Sequence, residues 1–348
     1  MDSKGQLPSL NGWRAISILL VLANHTLLMP GFPWEHSRFL LNLFEGKIGV
    51  RFFFTISGFL ITWLMLREEA ATGKVSLKNF YIRRTLRIWP VYFSFVILLF
   101  ILQCVGFLGQ SPEAWRGLLT FTRNFRDEVI INTPDVLSSH CWSLSIEEQF
   151  YVFWPLIFCS FGRSGRIGLL ILAILFSAAF RTIELLGLYD RHYGHYLFQD
   201  LSTFGYLDCL GWGCLGAIVL AFQKIRIEKM VKKRSIVWFS VCFTLILIPY
   251  ITQLGIGLQS IGFIGLLLHS VISPQWGFYR LLNLKWIDKI GILSYSTYIW
   301  QQLIWVLWPT PLHKVWFLWI PITFAVAWVS YEFLEKPFFT LRAKFRTQ

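Results

Sequence analysis

The chain has 348 residues, of which 55% are hydrophobic and only 15% charged, with 33 Phe and 17 Trp and a mean hydropathy of +0.55. Soluble domains carry about 25% charged residues, so a soluble globule is excluded and a bilayer is implied, where lipid-facing positions must be apolar. The net charge of +13 comes from basic residues set in short loops between apolar runs, which excludes a separate nucleic-acid-binding domain and reads as membrane orientation by the positive-inside rule.

Ten apolar stretches follow one another at about 13–30, 49–66, 88–108, 142–160, 168–183, 201–222, 235–254, 257–272, 290–308 and 316–334. The fifth and eighth are short, and the seventh and eighth also read as a re-entrant pair. The expected class is all-α: a polytopic membrane helix bundle of about ten transmembrane helices. With the N-terminus inside, segments 1–14, 67–87, 161–168, 223–236, 273–289 and 335–348 hold 23 of the 32 Lys and Arg, so both termini are expected in the cytoplasm. The first run lacks a clear small-x-small cleavage site and is kept as a helix. Without a repeat, low-complexity region or linker, residues 1–348 read as one integral-membrane domain with no appended soluble domain. Cys104, Cys141, Cys159, Cys209, Cys214 and Cys242 form no CxxC and read as small buried hydrophobes. No disulfide framework or metal site is expected.

Ionisable groups inside spans are costly and are usually paired or functional. In the first span, Arg14 and His25 are eleven residues apart. At about 100° per residue they fall within about 20° of one helix face, separated by about 16 Å along the axis. A snorkelling Arg and a hydrogen-bonded core His would account for them singly. The second span carries Gly49-Val50-Arg51-Phe52-Phe53-Phe54-Thr55-Ile56-Ser57-Gly58-Phe59-Leu60-Ile61, where Ser57-Gly58 permits close helix approach. Before the third span, Arg83, Arg84 and Arg87 stand at spacings of three and four that bring pairs onto one face. Guanidinium groups in that arrangement suit phosphates, because the fork binds two oxygens at once. Ordinary positive-inside charge is the plainer account. The fourth span opens with Ser139-His140-Cys141-Trp142-Ser143-Leu144-Ser145-Ile146-Glu147-Glu148-Gln149-Phe150-Tyr151. Adjacent carboxylates point about 100° apart, so at least one must face an interior polar site, and Ser143 shares a face with Glu147. His192, His195 and His269 read as structural.

In this order, these segments resemble the acyltransferase-3 family of membrane-bound O-acyltransferases, which includes bacterial O-antigen acetylases, Nod-factor acetylases and macrolide acyltransferases. The match runs from Leu10-Asn11-Gly12-Trp13-Arg14-Ala15 with His25, through Gly49 to Ile61, Arg83-Arg84-Thr85-Leu86-Arg87 and Trp142 to Tyr151. It closes with Leu293-Ser294-Tyr295-Ser296-Thr297-Tyr298-Ile299-Trp300 and Glu335-Lys336-Pro337-Phe338, and so covers nearly the whole chain. The resemblance implies transfer of an acyl group, commonly acetyl, from cytoplasmic acyl-CoA to a hydroxyl of a glycan or lipid-linked saccharide, in a bacterial cytoplasmic (inner) membrane. Longer members add an extracytoplasmic hydrolase-like domain, so a stand-alone membrane domain is implied here. One departure is Gln301, where members often carry His after Tyr-Leu-Trp.

From the spacing, Arg14 with Arg83, Arg84 and Arg87 is the expected phosphate-binding set, with the pantetheine arm running up the helix face to His25. His25 titrates near neutrality and has two open roles: general base on the acceptor hydroxyl, or covalent acyl relay. Glu147 or Glu148 would orient the imidazole. Ser143 or Ser57 would contact the acyl carbonyl, and Ser57, His140, Trp142 and Tyr298 complete the expected substrate contacts. The rival class is a transporter or flippase of a polar or glycan substrate, which also needs buried charge near the midplane but usually shows an internal repeat.

Overall fold

The computed structural model describes residues 7–29, 32–34, 37–107, 109–125, 134–186, 202–252, 256–308 and 315–345. These residues contain helices and no strand. In chain order the helices are α1 (Leu10–Leu27), α2 (Arg38–Leu43), α3 (Gly46–Thr72), α4 (Leu77–Cys104), α5 (Pro112–Thr120), α6 (Cys141–Ser160), α7 (Arg163–Leu185), α8 (Thr203–Phe222), α9 (Lys224–Lys233), α10 (Ser235–Thr252), α11 (Ile256–Ile272), α12 (Tyr279–Leu282), α13 (Lys285–Val306), α14 (Trp319–Ser330) and α15 (Lys336–Ala343). Most of the described part of each of the ten apolar stretches falls on helix. Among the described residues, five helical stretches are long and apolar enough to cross a membrane: Phe39–Thr72, Leu77–Cys104, Arg163–Ile183, Thr203–Phe222 and Val315–Arg342. Outward-facing side chains such as Ile97, Leu172 and Trp328 are 57%, 62% and 56% exposed, as lipid contact requires and water does not tolerate. The chain forms an all-α integral-membrane bundle. His192 and His195 lie outside the described residues.

The helices outrun the apolar stretches. Segment 67–87, expected as an inner loop, is mostly helix: α3 continues to Thr72, where Gly73 closes it at φ 77°. After a short turn the Ser76 hydroxyl caps α4 by accepting the Asn79 N–H at 3.3 Å. Hydropathy ends where charge begins, but an amphipathic helix end extends into the interface regardless. Arg83, Arg84 and Arg87 therefore stand on the first turns of a continuous helix, which fixes the direction of each.

Glycines set the spacing between the central helices. A Cβ at Gly58 would meet the backbone of Leu210, and one at Gly213 would meet the backbone of Thr55, so α3 and α8 touch main chain to main chain. Gly49 lies in the same way against Ser17 of α1, and Gly291 of α13 against Asn11. Small residues are the usual means of association where lipid supplies no hydrophobic drive between helices. The opening motif has its own work: Asn11 donates to Asp288 at 2.9 Å, and the Trp13 indole donates to the Ser270 hydroxyl at 2.9 Å. Both bonds fasten the start of α1 to the second half of the chain. Between α7 and α8, Arg181 makes a two-pronged ion pair with the buried Asp208 at 2.9 and 2.7 Å.

Candidate active site

Helices α1, α3, α4, α6 and α13 surround a cleft lined by Arg14, Ser57, Arg84, Arg87, Ser143, Glu147, Tyr151, Ser294, Tyr295 and Tyr298, with Val50 and several apolar neighbours. It encloses about 770 Å³, its open mouth included. Arg14, Arg84 and Arg87 make no ion pair or hydrogen bond among the described residues. Arg84 rests between the rings of Phe80 and Tyr151, 5.6 and 5.7 Å from their centroids, and its buried Nε has no partner. The one carboxylate in the lining, Glu147, accepts the Ser57 hydroxyl at 2.5 Å, and the Ser57 and Tyr151 hydroxyls stand 3.1 Å apart. Three cations face one carboxylate in the lining, and the buried Glu335 and part-buried Glu148 outside it act on them only through space, so the cleft presents guanidinium groups with no direct counter-ion among the described residues inside an apolar bundle. Such an arrangement is costly unless an anion fills it.

A second chamber adjoins the first. It is lined by Asn24, His25, Gly46, Lys47, Ser139, His140, Trp142, Gln301, Gln302 and Trp305, and it shares Val50 and Tyr298 with the cleft. His25 Nδ1 is 2.6 Å from Gln301 Oε1. An amide oxygen only accepts, so Nδ1 carries the proton and Nε2 keeps its lone pair. The main chain beneath the ring is pinned by the Trp305 indole, which donates to the His25 carbonyl at 2.8 Å. His140 is held as the opposite tautomer: its Nε2–H donates to the Ile299 carbonyl at 3.1 Å, and its buried Nδ1 has no partner. The Tyr298 hydroxyl donates to the His140 carbonyl at 3.0 Å and accepts from Ser143 at 2.6 Å, which fixes the ring in the shared wall.

The two cavities are stacked along the bundle axis. On α1, Arg14 faces the cleft and His25 the chamber, eleven residues or about 16 Å further on. On α6, Glu147 and Tyr151 face the cleft and Trp142 the chamber, while on α13, Ser294 and Tyr295 face the cleft and Gln301 and Trp305 the chamber.

The expected set divides accordingly. Arg14, Arg84, Arg87, Ser57, Ser143 and Glu147 meet at the cleft, His25, His140 and Trp142 at the chamber, and Tyr298 at both. Arg83 points elsewhere, into an ion pair with Glu68 at 2.8 Å and a bond to the Phe345 carbonyl at 2.8 Å. Glu148 lines neither cavity; it is bonded to Trp89. The group bonded to His25 is Gln301, not either glutamate. Gln301 was visible in the sequence only as a departure from pattern. Glu335 was not singled out as a site residue: the main chain widens to a π turn at Tyr331–Glu335, and the buried carboxylate accepts the Ser296 hydroxyl at 2.5 Å, near enough to Arg14 and Arg87 to feel their charge. A π turn of this kind often marks a functional position. Among the described residues, no group of three or more His, Cys, Asp or Glu is placed to hold a metal ion.

An oriented imidazole with a free lone pair, separated by one wall from a bare arginine cluster, is the equipment of a group-transfer enzyme of the membrane. The family model for an acyltransferase domain matches residues 7–333, and the chain belongs to that family. It is 26% identical to the peptidoglycan O-acetyltransferase OatA of Listeria monocytogenes serovar 1/2a over 96% of this chain and 56% of that protein. It is 28% identical to a putative O-acetyltransferase of Staphylococcus aureus strain COL over 95% of this chain and 57% of the relative. It is also 28% identical to the O-acetyltransferase OatA of S. aureus strain NCTC 8325, over 97% and 58%. The chain thus spans little more than half the length of these curated relatives. No solved structure matches.

Proposed function

We propose that the protein transfers an acetyl group from acetyl-CoA to a hydroxyl of a cell-envelope glycan or lipid-linked saccharide. In this reading residues 1–348 act as one domain of about ten crossings in a bacterial cytoplasmic membrane, with both termini and the arginine cleft on the cytoplasmic side. The observation that carries it is the pair of cavities back to back, sharing Val50 and Tyr298. The names of the relatives, which include a peptidoglycan O-acetyltransferase, support a glycan acceptor.

The unpartnered guanidinium groups of Arg14, Arg84 and Arg87 fit the phosphates of a CoA donor, since a fork of N–H groups binds two phosphate oxygens together. A pantetheine arm anchored there has about 16 Å to cover before it meets His25. At His25 the lone pair on Nε2 acts in one of two ways. As a base it takes the acceptor proton while the hydroxyl oxygen attacks the thioester carbonyl, and the resulting imidazolium returns that proton to the departing thiolate. As a relay it attacks the thioester itself, expels the thiolate and passes the acetyl group to the hydroxyl in a second step. Gln301 is the orienting group in either case, in the place a carboxylate holds in hydrolytic triads. The Ser143 and Tyr298 hydroxyls lie where the carbonyl must pass from one cavity to the other.

The test uses inside-out vesicles supplied with acetyl-CoA labelled in the acetyl group, from wild type and His25→Ala. The expected result is base-labile label in the glycan or lipid fraction from wild type alone. Equal label in both removes His25 from the chemistry. Movement of an unmodified saccharide without ester formation favours a flippase.

A further inference from the structure

On the side of α8 turned away from the cleft, α8, α10 and α11 enclose a groove of about 1100 Å³, open space included. Its walls are Leu215 and Val219 of α8, Val241 and Leu245 of α10, and Ile261 and Leu268 of α11, with further apolar neighbours. The charged residue of the lining is Arg234, in the turn between α9 and α10. Its guanidinium is exposed and makes no ion pair or hydrogen bond among the described residues. The lining runs from Val237 to Leu245 on α10, so the groove extends about 12 Å along the helix axis, starting one turn beyond Arg234.

The rim is strongly basic. Residues 223–236 carry six Lys and Arg against one acid, Glu228. Within α9, Ile227 and Val231 are buried against the bundle, while Ile225 is 84% exposed beside the lysines. An amphipathic basic helix with exposed apolar side chains lies in the membrane interface and attracts anionic headgroups. An apolar slot below and cations at its mouth match the two halves of one kind of molecule.

We propose that this groove is a binding site for an anionic phospholipid of the adjoining leaflet, one acyl chain lying between α8, α10 and α11 and the phosphate on Arg234 and the lysines of α9. A zwitterionic lipid fills the slot equally well but gains little from the rim, so the site selects on headgroup charge. Its occupancy bears on the enzyme because the opposite face of α8 rests on α3, main chain to main chain at Gly58 and Gly213, and α3 carries Ser57 into the cleft.

The experiment measures lipid retention by native mass spectrometry of the whole protein in detergent, with dioleoyl-phosphatidylglycerol and dioleoyl-phosphatidylcholine in equal amounts. Wild type should retain the phosphatidylglycerol at least fivefold over phosphatidylcholine, and Arg234→Glu should lower that preference by about tenfold, at about 1 kcal/mol for each basic residue near a phosphate. Arg234→Lys should restore most of it. Val241→Trp, which fills the slot, should lower retention of both lipids. Equal retention of the two lipids by wild type, or a preference unchanged by Arg234→Glu, overturns the proposal. A shift in oligomeric mass with Val241→Trp and no lipid preference also overturns it, because the groove then holds another helix. Position 234 is exposed, so its two variants decide the matter even if Val241→Trp fails to fold.

Discussion

Replacement of Gln301 by Leu removes the acceptor that holds His25 in one tautomer. The bond is short, 2.6 Å, and Gln301 is fully buried, so nothing else among the described residues stands ready to accept from Nδ1. An N–H left unpaired in such a place costs about 1–3 kcal/mol. The ring escapes that cost by turning or by moving its proton to Nε2, and either removes the lone pair that the proposed transfer requires. At about 1.4 kcal/mol per decade of rate, kcat should fall about 10- to 100-fold. KM for acetyl-CoA should stay within about twofold, because the arginines are about 16 Å away. The helix itself should not move, since the Trp305 indole still holds the His25 carbonyl. Gln301→Asn, whose acceptor is drawn back by about 1.5 Å, should behave like Leu, whereas Gln301→Glu keeps an acceptor in reach and should retain more activity than either. The assay is initial-rate transfer of labelled acetyl in vesicles, normalised to protein level. A Leu variant with wild-type kcat at normal abundance would refute the orientation argument.

The arginines should separate by direction. Arg84→Ala should raise KM for acetyl-CoA at least tenfold, given about 1.5–3 kcal/mol for a hydrogen bond to a charged group, while Arg83→Ala, which loses its pairing with Glu68, should leave KM unchanged within about twofold. Steady-state kinetics on the two variants decides this, and equal KM effects would mean that the cleft does not choose between them. Arg181→Leu strands Asp208 in the bundle and should cost about 3–5 kcal/mol, with much of the loss recovered when Asp208→Leu is added; thermal unfolding in detergent measures both, and an unaltered midpoint for the single variant counts against the pair. Gly213→Val drives a side chain into the Thr55 main chain and should cost about 1–3 kcal/mol from overpacking, read in the same unfolding assay.

The bundle was legible because hydropathy reports what a bilayer demands, and the described part of each apolar stretch is mostly helix. Arg14 and His25 were legible as a pair because eleven residues bring a helix back to nearly the same face. The adjacent glutamates were half legible: helical geometry requires at least one of them to face inward, but only packing decides that Glu147 lines the cleft while Glu148 turns to Trp89. Arg83 and Arg84 differ by one residue and by everything in direction, because a turn of 100° aims one at Glu68 and the other at the cleft. Gln301 was the hardest to read. Its amide is meaningful only opposite His25, 276 residues away in sequence, and pairings of that range leave no local pattern. Arg181 and Asp208 carried a signal that could have been used, since two opposite charges in successive apolar stretches ask for each other.

The wall made by Val50 and Tyr298 has a consequence for the cell's energy supply. A continuous polar passage from an arginine-lined mouth to a histidine on the far side would conduct protons or anions down the transmembrane voltage, which does about 2.3 kcal/mol of work on each charge per 100 mV. In the proposed reaction, with a valine and a hydrogen-bonded tyrosine between the two cavities, what crosses is a neutral acyl group, and the voltage does no work on it. In that scheme the donor's phosphates stay on one side and the acceptor on the other. Transfer of this kind would proceed continuously without discharging the membrane that supports it.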